Sequence, residues 1–233
     1  MEIHKPNPVH SLKEFLNEIA IIIVGVLIAL GLEQVVAQWH WRNEVAEARE
    51  ALREEIAYNL RRFQFNVDNS ACTIRNLETL KGLIRNRNTA AIKAAMSDGP
   101  YGQLGLAQFA IGTSTWETVN SSAMMAHMPS GERLEFAGLY GNFYNDRIFR
   151  LQNANSVLEL FNKSENFDGS PEMTRELIET AGAIQLFYRL RAQGQYQGTI
   201  AQVYQRLKIK PTSTDPFRKS SVCHPLQADG TFK

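Results

Sequence analysis

The run Met124-Met125-Ala126-His127-Met128 gathers the side chains most suited to metal chemistry. Thioether sulfurs with an imidazole suit Cu(I), so these groups could hold copper if they converge. Methionines also fill irregular gaps in protein cores, and a histidine near the carboxyl end of a helix interacts favourably with the helix dipole. A single cluster of this kind favours core packing, and we predict no metal and no cofactor.

Carboxylates at Glu132, Glu135 and Asp146 could supply general acid and base groups. Charged side chains on helices usually lie on solvated faces, and we predict this for all of them. The sequence lacks the glycine-rich nucleotide motifs, HExxH, GxSxG and CxxCH. These observations favour a non-enzymatic protein and leave open an enzyme without a familiar motif.

Cys72 and Cys223 are the two cysteines of the chain. They are too few for a cysteine-built zinc site or a disulfide scaffold. In a compartment outside the cytoplasm they could form one disulfide and tie down the carboxyl-terminal tail. The sequence does not show that they meet, so two separate thiols remain the alternative.

The composition restricts the class of protein that must position these groups. The chain has 233 residues, of which 44% are hydrophobic and 21% are charged. These values fit a globular body and exclude a polytopic transporter and disorder along the whole chain. With 25 basic and 24 acidic side chains, the net charge of +1 lacks the broad positive field of a nucleic-acid-binding protein.

An apolar run near the amino terminus predicts a membrane anchor. Residues 19–32 contain no polar side chain, and the wider segment 15–37 would form about 34 Å of helix, enough to span a bilayer. Trp39, His40 and Trp41 follow where an aromatic belt at the membrane interface is expected. The sequence thus predicts a transmembrane helix at 15–37.

Other interpretations of this run remain open. The bare apolar stretch is short enough for a buried helix, and Val35 and Ala37 resemble the small residues before a signal-peptide cleavage site. Two features count against cleavage: the long amino-terminal tail carries Glu2, Glu14 and Glu18, and the helical pattern runs through the cleavage point. We therefore expect an uncleaved anchor.

The orientation of the anchor rests on weaker signals. Lys5 and Lys13 lie on one side, and the other side carries Arg42, Arg49 and Arg53. Large carboxyl-terminal domains cross membranes largely regardless of charge. We expect a cytoplasmic tail at 1–14, a bacterial inner-membrane helix and a periplasmic body.

One face of the anchor helix collects small and acidic residues: Glu18, Ile22, Gly25, Ala29 and Glu33. At about 100° per residue they fall within about 60° of one direction. Gly25 and Ala29 allow close approach of another helix, so this face could pack against other membrane subunits or a second copy of the chain. The alternative is that both carboxylates simply lie at the headgroup layers.

The remainder predicts an all-α body at 38–209, an antiparallel helical bundle with short connections. Its first helix is long and amphipathic, and Asn59 stands where a strict heptad requires an apolar residue, which favours packing within one domain over a coiled coil. Ser114 and Glu117 resemble a capping box, and Ser170-Pro171 should begin a later helix. The prolines from residue 211 onward predict an extended tail at 210–233.

Between these helices, residues 132–162 should form another, with one apolar line facing the core. That line contains Ala137, Tyr140, Tyr144, Ile148, Leu151, Ala154, Leu158 and Phe161.

Two stretches carry a family resemblance: GVLIALGLEQ at 25–34 and TSTWETVNSSA at 113–123, followed by Met128-Pro129. They resemble a bacterial family of single-pass, membrane-anchored helical proteins whose members have no assigned activity. The resemblance covers about two thirds of the chain and departs at Ala123, where the family commonly has glycine, and in the tail. It implies a topology and no mechanism.

These patterns together predict a non-enzymatic accessory or scaffolding subunit of a larger membrane assembly. The partners would be the lipid bilayer and other membrane subunits, and no nucleic acid. The alternative is a membrane-anchored sensor whose bundle binds a small ligand in a pocket near Trp116, Phe143 and Tyr144.

Overall fold

The computed structural model describes residues 12–99, 102–106, 108–192, 202, 205–207 and 223–233. The protein is all-α over these ranges, which confirms the predicted class. Two isolated bridges, Leu104–Cys223 and Leu226–Phe232, are the strand-like pairings recorded among the described residues. The helices are α1 (Leu12–Arg85), α2 (Thr89–Met96), α3 (Ser114–Asn120), α4 (Met124–His127), α5 (Ser130–Glu165) and α6 (Pro171–Ala192).

The two halves of α1 have different surroundings. An 18-residue window near its amino terminus has a mean hydropathy of 2.6 and contains no buried residue, so this part is long and apolar enough to cross a membrane. From Val45 the same helix enters the body without a break. Its predicted apolar stripe is confirmed as buried: Val45, Ala48, Leu52, Ile56, Leu60, Phe63 and Val67.

The body has two core clusters along α1. The first surrounds residues 45–67 and is completed by α3 and the beginning of α5, with Tyr140 fully buried in it. The second surrounds residues 77–84 and is completed by α2, the end of α5, α6 and Leu226. The helix therefore forms one side of both cores.

Between α2 and α3 the chain returns along α1 without regular structure. This return segment, residues 102–106 and 108–113, contacts α1 in reverse order, with Leu104 near Asn76 and Gly112 near Asn59. It brings the chain back from the second core cluster to the first. The predicted bundle with only short connections missed this long stretch.

The two long later helices run in opposite directions. Along α5, Glu132 lies beside Arg49 and Tyr140 beside Glu55, so α5 runs parallel to α1. The side-chain oxygen of Gln185 in α6 accepts a hydrogen bond from Lys81 at 2.7 Å, and Arg191, later in α6, lies over the ring of Phe63, earlier in α1. Helix α6 therefore runs antiparallel to α1. Ser170 accepts a hydrogen bond from the Met173 amide at 3.2 Å, as its predicted capping role requires.

The predicted core face of α5 is wrong. Only Tyr140 of the expected line is fully buried, whereas Ile148 is 54% and Leu151 is 60% exposed. Apolar residues occupy more than one face of α5, and polar Asp146 and Asn153 interrupt the buried face. For this reason periodicity alone could not identify the buried face. The apolar residues of α5 that are buried are Phe136, Leu139, Tyr140, Phe143, Val157 and Leu160.

The helix predicted to begin at the Ser114 capping box is divided in two. α3 ends at Asn120, and α4 is a separate turn at Met124–His127. The N-cap residue is Thr113, and the carboxylate of Glu55 on α1 accepts hydrogen bonds from the amides of Thr115 and Trp116 at 2.8 and 3.3 Å. The first turn is therefore capped by another helix.

The carboxyl terminus differs from the predicted extended tail. Leu226 is buried in the second core cluster, and a Cβ on Gly230 would lie 2.2 Å from the carbonyl oxygen of Ala91 in α2. Residues 223–233 thus belong to the folded body. The rest of the predicted tail, 210–222, lies outside the described residues, as does the tail at 1–11.

Candidate functional site

The predicted partner-packing face of the anchor lies fully outside the body. Glu18, Ile22, Gly25, Ala29 and Glu33 are all exposed, and the chain's described residues bring no other element to them. A Cβ built on Gly25 meets no atom within 4 Å. Side chains could therefore be added at this position without a clash within the chain.

The three residues predicted at a membrane interface have different environments. Trp39 is 67% exposed. Trp41 stacks on His127 of α4, with ring centroids 4.1 Å apart and planes within 12°, and His40 lies 5.1 Å from Trp41. Trp41 thus links α4 to α1 as well as standing next to the apolar segment.

The side chains of the methionine–histidine run, residues 124–128, make packing contacts. Met128 is buried in the first core cluster, Met124 and Met125 pack against it, and His127 uses its ring face on Trp41. A group of three or more histidine, cysteine or carboxylate side chains able to hold a metal is absent from the described part of the chain.

The carboxylates considered for acid–base chemistry are separated. Glu132 forms a two-point ion pair with Arg49, with both N–O distances 2.7 Å, and Glu135 is exposed. The bonded Glu132 raises the pKa of the Arg49 guanidinium. Asp146 is 5% exposed, which contradicts its predicted solvated position, and it is held by Arg150 and Arg191. Glu132 and Asp146 are thus each paired with arginine, and none of these contacts pairs one carboxylate with another.

Cys72 and Cys223 are joined by a disulfide that links α1 to the carboxyl terminus across 151 residues. Asn76, one turn further along α1, donates a hydrogen bond to the His224 carbonyl at 2.6 Å and accepts one from the Leu226 amide at 2.9 Å. A Cβ on Gly105 would come within 2.6 Å of the Cys223 Cβ. The terminus is thus fixed by a covalent bond, by hydrogen bonds and by close packing.

A row of buried polar residues on α1 holds the return segment. Asn66 donates to the Phe109 carbonyl at 3.1 Å and accepts from the Phe109 amide at 2.9 Å, and Asn59 makes the same pair of bonds with Gly112. Thr73 donates to the Gly105 carbonyl at 2.9 Å. We call Asn59, Asn66, Thr73 and Asn76 the polar seam. The polar seam was not predicted from the sequence, although Asn59, Asn66 and Thr73 are visibly spaced at seven-residue intervals.

Glu55 lies at the centre of a second polar arrangement in the first core cluster. The hydroxyl of buried Tyr140 donates to it at 2.7 Å, and the ring of Tyr140 stacks on Trp116 with centroids 4.9 Å apart. Burial opposes ionisation of Glu55, but hydrogen bonds from Thr115, Tyr140 and Trp116 outweigh it and lower its pKa. Burial, with the neighbouring Glu55, raises the pKa of Tyr140. The carboxylate is thus stabilised as an anion.

The pocket predicted near Trp116, Phe143 and Tyr144 is core. Trp116 is 6% and Phe143 is 5% exposed, and the Tyr144 hydroxyl donates to Glu117 at 3.0 Å. A cleft of about 600 Å³ lies elsewhere, between the return segment and the middle of α5. Its described lining residues are Leu106, Gln108, Ala110, Ile111, Arg147, Arg150, Leu151, Asn153 and Ala154.

Two polar residues that line this cleft, Arg150 and Gln108, are held by Asp146 and Arg191, which are not among its described lining residues. Arg150 approaches one carboxylate oxygen at 3.0 Å and Arg191 the other at 2.5 Å. Arg191 also donates to the Gln108 side-chain oxygen at 2.5 Å and lies over the ring of Phe63. Burial lowers the pKa of Arg191, while Asp146 acts in the opposite direction. Arg147 and Arg150 give the cleft a positively charged wall, which was not predicted from the sequence.

Comparison of the chain with known protein families, curated proteins and solved structures found no match in any of the three. The family resemblance of 25–34 and 113–123 stays a prediction, and the chemistry of the chain rests on its own residues.

Proposed function

We propose that this protein is a non-enzymatic, single-pass inner-membrane protein that serves as an accessory or scaffolding subunit of a larger membrane assembly. The observation that carries the proposal is the uncovered apolar part of α1, which continues as the main core helix of the body. One helix would then join the bilayer to a rigid body.

Exposure of the apolar segment supports a membrane location. Ile21, Ile22 and Leu27 are each more than 60% exposed, and neighbouring residues 12–39 continue the same surface. Soluble monomers rarely expose contiguous apolar surface beyond a few hundred Å². Segment 15–37 has the length that a bilayer requires, about 34 Å against a hydrocarbon layer of about 30 Å.

The disulfide supports a periplasmic body. Disulfides persist in oxidising compartments and are rare in the cytoplasm. Cys72 and Cys223 are bonded to each other, and both lie in the body and not in the apolar segment. With the body outside, residues 1–14 would lie in the cytoplasm, as the sequence predicts.

The small-residue face of the anchor supports docking against another membrane helix. Gly25 and Ala29 would let a neighbouring backbone approach closely, and Glu18 and Glu33 would then face protein or the headgroup layers. The partner is another membrane subunit or a second copy of this chain.

A matched pair of glycines tests the docking proposal. Gly25→Leu adds bulk on the docking face, and Gly31→Leu adds the same bulk about 120° away around the helix, at a site where a Cβ also meets nothing within 4 Å. Each variant is purified in mild detergent, and co-purifying subunits are identified by mass spectrometry and light scattering. We expect Gly25→Leu to lose the partner and Gly31→Leu to keep it. If the unchanged protein and both variants all purify as lone monomers, the docking proposal is refuted.

The second candidate function is a membrane-anchored sensor. The cleft beside Asp146, rather than the predicted site near Trp116, favours it, because this cleft combines an open volume with fixed polar groups. Binding of a small molecule by the full-length protein would favour the sensor over the scaffold.

A further inference from the structure

The cleft between the return segment and α5 has the charge of an anion site. Arg147 and Arg150 line it, and no described acidic side chain does. Arg150 shares the carboxylate of Asp146 with Arg191, and Arg147 interacts electrostatically with Glu117, so these three arginines and two acids leave a local charge of +1. A cleft with charge of one sign attracts ligands of the opposite sign.

Two polar atoms in the cleft wall are left without partners. Nε2 of Gln108 and Oδ1 of Asn153 are buried, and neither has a hydrogen-bond partner among the described residues. Asn153 as a whole is 8% exposed. A buried polar atom without a partner costs free energy, so a ligand that satisfies both atoms would gain affinity.

The orientation of two cleft side chains, Gln108 and Arg150, is fixed by their neighbours. The oxygen of Gln108 is held by Arg191 at 2.5 Å, which leaves the Nε2 donor available. Arg150 is held by Asp146 and its side chain is 14% exposed. Groups that are already ordered lose little conformational entropy when they bind a ligand.

We propose that this cleft binds a small carboxylic acid that carries a hydroxyl or ammonium group beside its carboxylate. The carboxylate meets Arg147, Arg150 and the Gln108 donor. The hydroxyl or ammonium group donates to Oδ1 of Asn153. A short aliphatic chain lies against Leu106, Ile111 and Leu151. This proposal does not depend on the proposed docking of the anchor.

Two probes that differ by one hydroxyl test the assignment. Binding of L-malate and of succinate to the full-length protein in detergent micelles is measured by isothermal titration calorimetry. We expect saturable binding of malate, with succinate about fivefold weaker, because it lacks the donor to Asn153. Absence of saturable binding for both acids at millimolar concentration overturns the proposal.

Variants of the cleft locate the binding. Arg147 is exposed, so Arg147→Gln should fold normally, and we expect it to weaken malate binding about tenfold. Arg175→Gln, at an exposed arginine on α6, is the matched control and should leave binding unchanged. Equal weakening by both substitutions shows a diffuse charge effect and overturns the assigned site.

Two further measurements test the chemistry of the ligand. Asn153→Ala should remove the preference for malate over succinate while preserving succinate binding. Inorganic phosphate is the probe for simple anion attraction, and we expect it to bind more weakly than malate. Phosphate binding equal to or tighter than malate, or a preference that survives in Asn153→Ala, overturns the assignment of a carboxylic acid with a neighbouring donor.

Discussion

The side-chain amide of Asn59 forms two hydrogen bonds with the backbone of Gly112, donating at 2.6 Å and accepting at 2.9 Å. Asn66 repeats this arrangement with Phe109. The side-chain amide thereby supplies hydrogen bonds that a neighbouring strand would provide in a sheet. It satisfies the backbone N–H and C=O groups of a segment that is not part of any sheet. This explains an asparagine at a position of α1 where the apolar pattern would require a hydrophobic residue.

Replacing Asn66 with alanine should destabilise the body. The change leaves the N–H and C=O of Phe109 without their side-chain partner at a site where Asn66 is 2% exposed. We expect a loss of about 2 kcal/mol or more in the free energy of unfolding, measured by urea denaturation followed by tryptophan fluorescence. Asn155→Ala, at an exposed position of α5, should change stability by less than about 0.5 kcal/mol. Equal stability of the two variants would contradict a structural role for the polar seam.

Glu55 should stabilise the first turn of α3 as an anion. Glu55→Gln retains an oxygen acceptor but loses the charge that strengthens the bonds from Thr115, Trp116 and Tyr140. We expect a loss of about 1 kcal/mol, reduced by partial solvent exposure, and faster hydrogen exchange at α3. Exposed Glu54→Gln is the control. Unchanged exchange at α3 in Glu55→Gln would refute the capping role.

Acid should weaken the contact between α1 and α6. Hydrogen bonds from Lys81 and then Gln185 hold the pKa of Glu78 at about 2, below its ordinary value of 4.5. A depressed pKa in the folded protein gives stability that is fully present above about pH 4.5 and is lost as the pH falls toward 2.

The size of this effect is limited because the Glu78 side chain is 51% exposed. We expect less than about 1 kcal/mol, seen as a shallower acid dependence of the unfolding midpoint in Glu78→Gln than in the unchanged protein. Glu179→Gln, exposed on α6, should retain the full dependence. Identical pH profiles for the two variants would show that Glu78 has no such role.

Reduction of the disulfide should free the carboxyl terminus and lower stability. The bond between Cys72 and Cys223 closes a long loop, and such bonds typically contribute about 2 to 4 kcal/mol. We expect a reductant to lower the unfolding midpoint and to expose residues 223–233 to protease. The double variant Cys72→Ser, Cys223→Ser should show both effects without reductant and no further change with it. An insensitive midpoint would contradict the tether.

Sequence periodicity predicted the elements whose apolar residues occupy a single face. The buried stripe from Val45 to Val67 and the capped start of α6 at Ser170 are confirmed, because local spacing and capping chemistry determine both. The face of α5 was predicted wrongly, since its exposed side carries apolar residues such as Leu151 and its buried side carries Asp146.

The cleft and the polar seam depend on contacts between distant parts of the chain. Arg191 meets Gln108 across 83 positions, and Asn76 meets His224 across 148. No local pattern encodes such pairs, because helical spacing specifies which residues share a face and not what that face meets. Only the repeated polar residues of α1 at seven-residue intervals indicated that something other than an apolar core lies against that helix.

Because α1 is continuous, the orientation of its apolar segment determines the position of the far end of the body. From Ala37 to Arg85 the helix is about 70 Å long, and both core clusters are fastened to it. A tilt of about 10° at the apolar end would displace Arg85 by about 12 Å, by simple rotation of a rod of that length. A partner that binds the anchor would therefore set the orientation of the whole body. A force on the far end of α1 would likewise be transmitted to the point where the helix leaves its apolar segment.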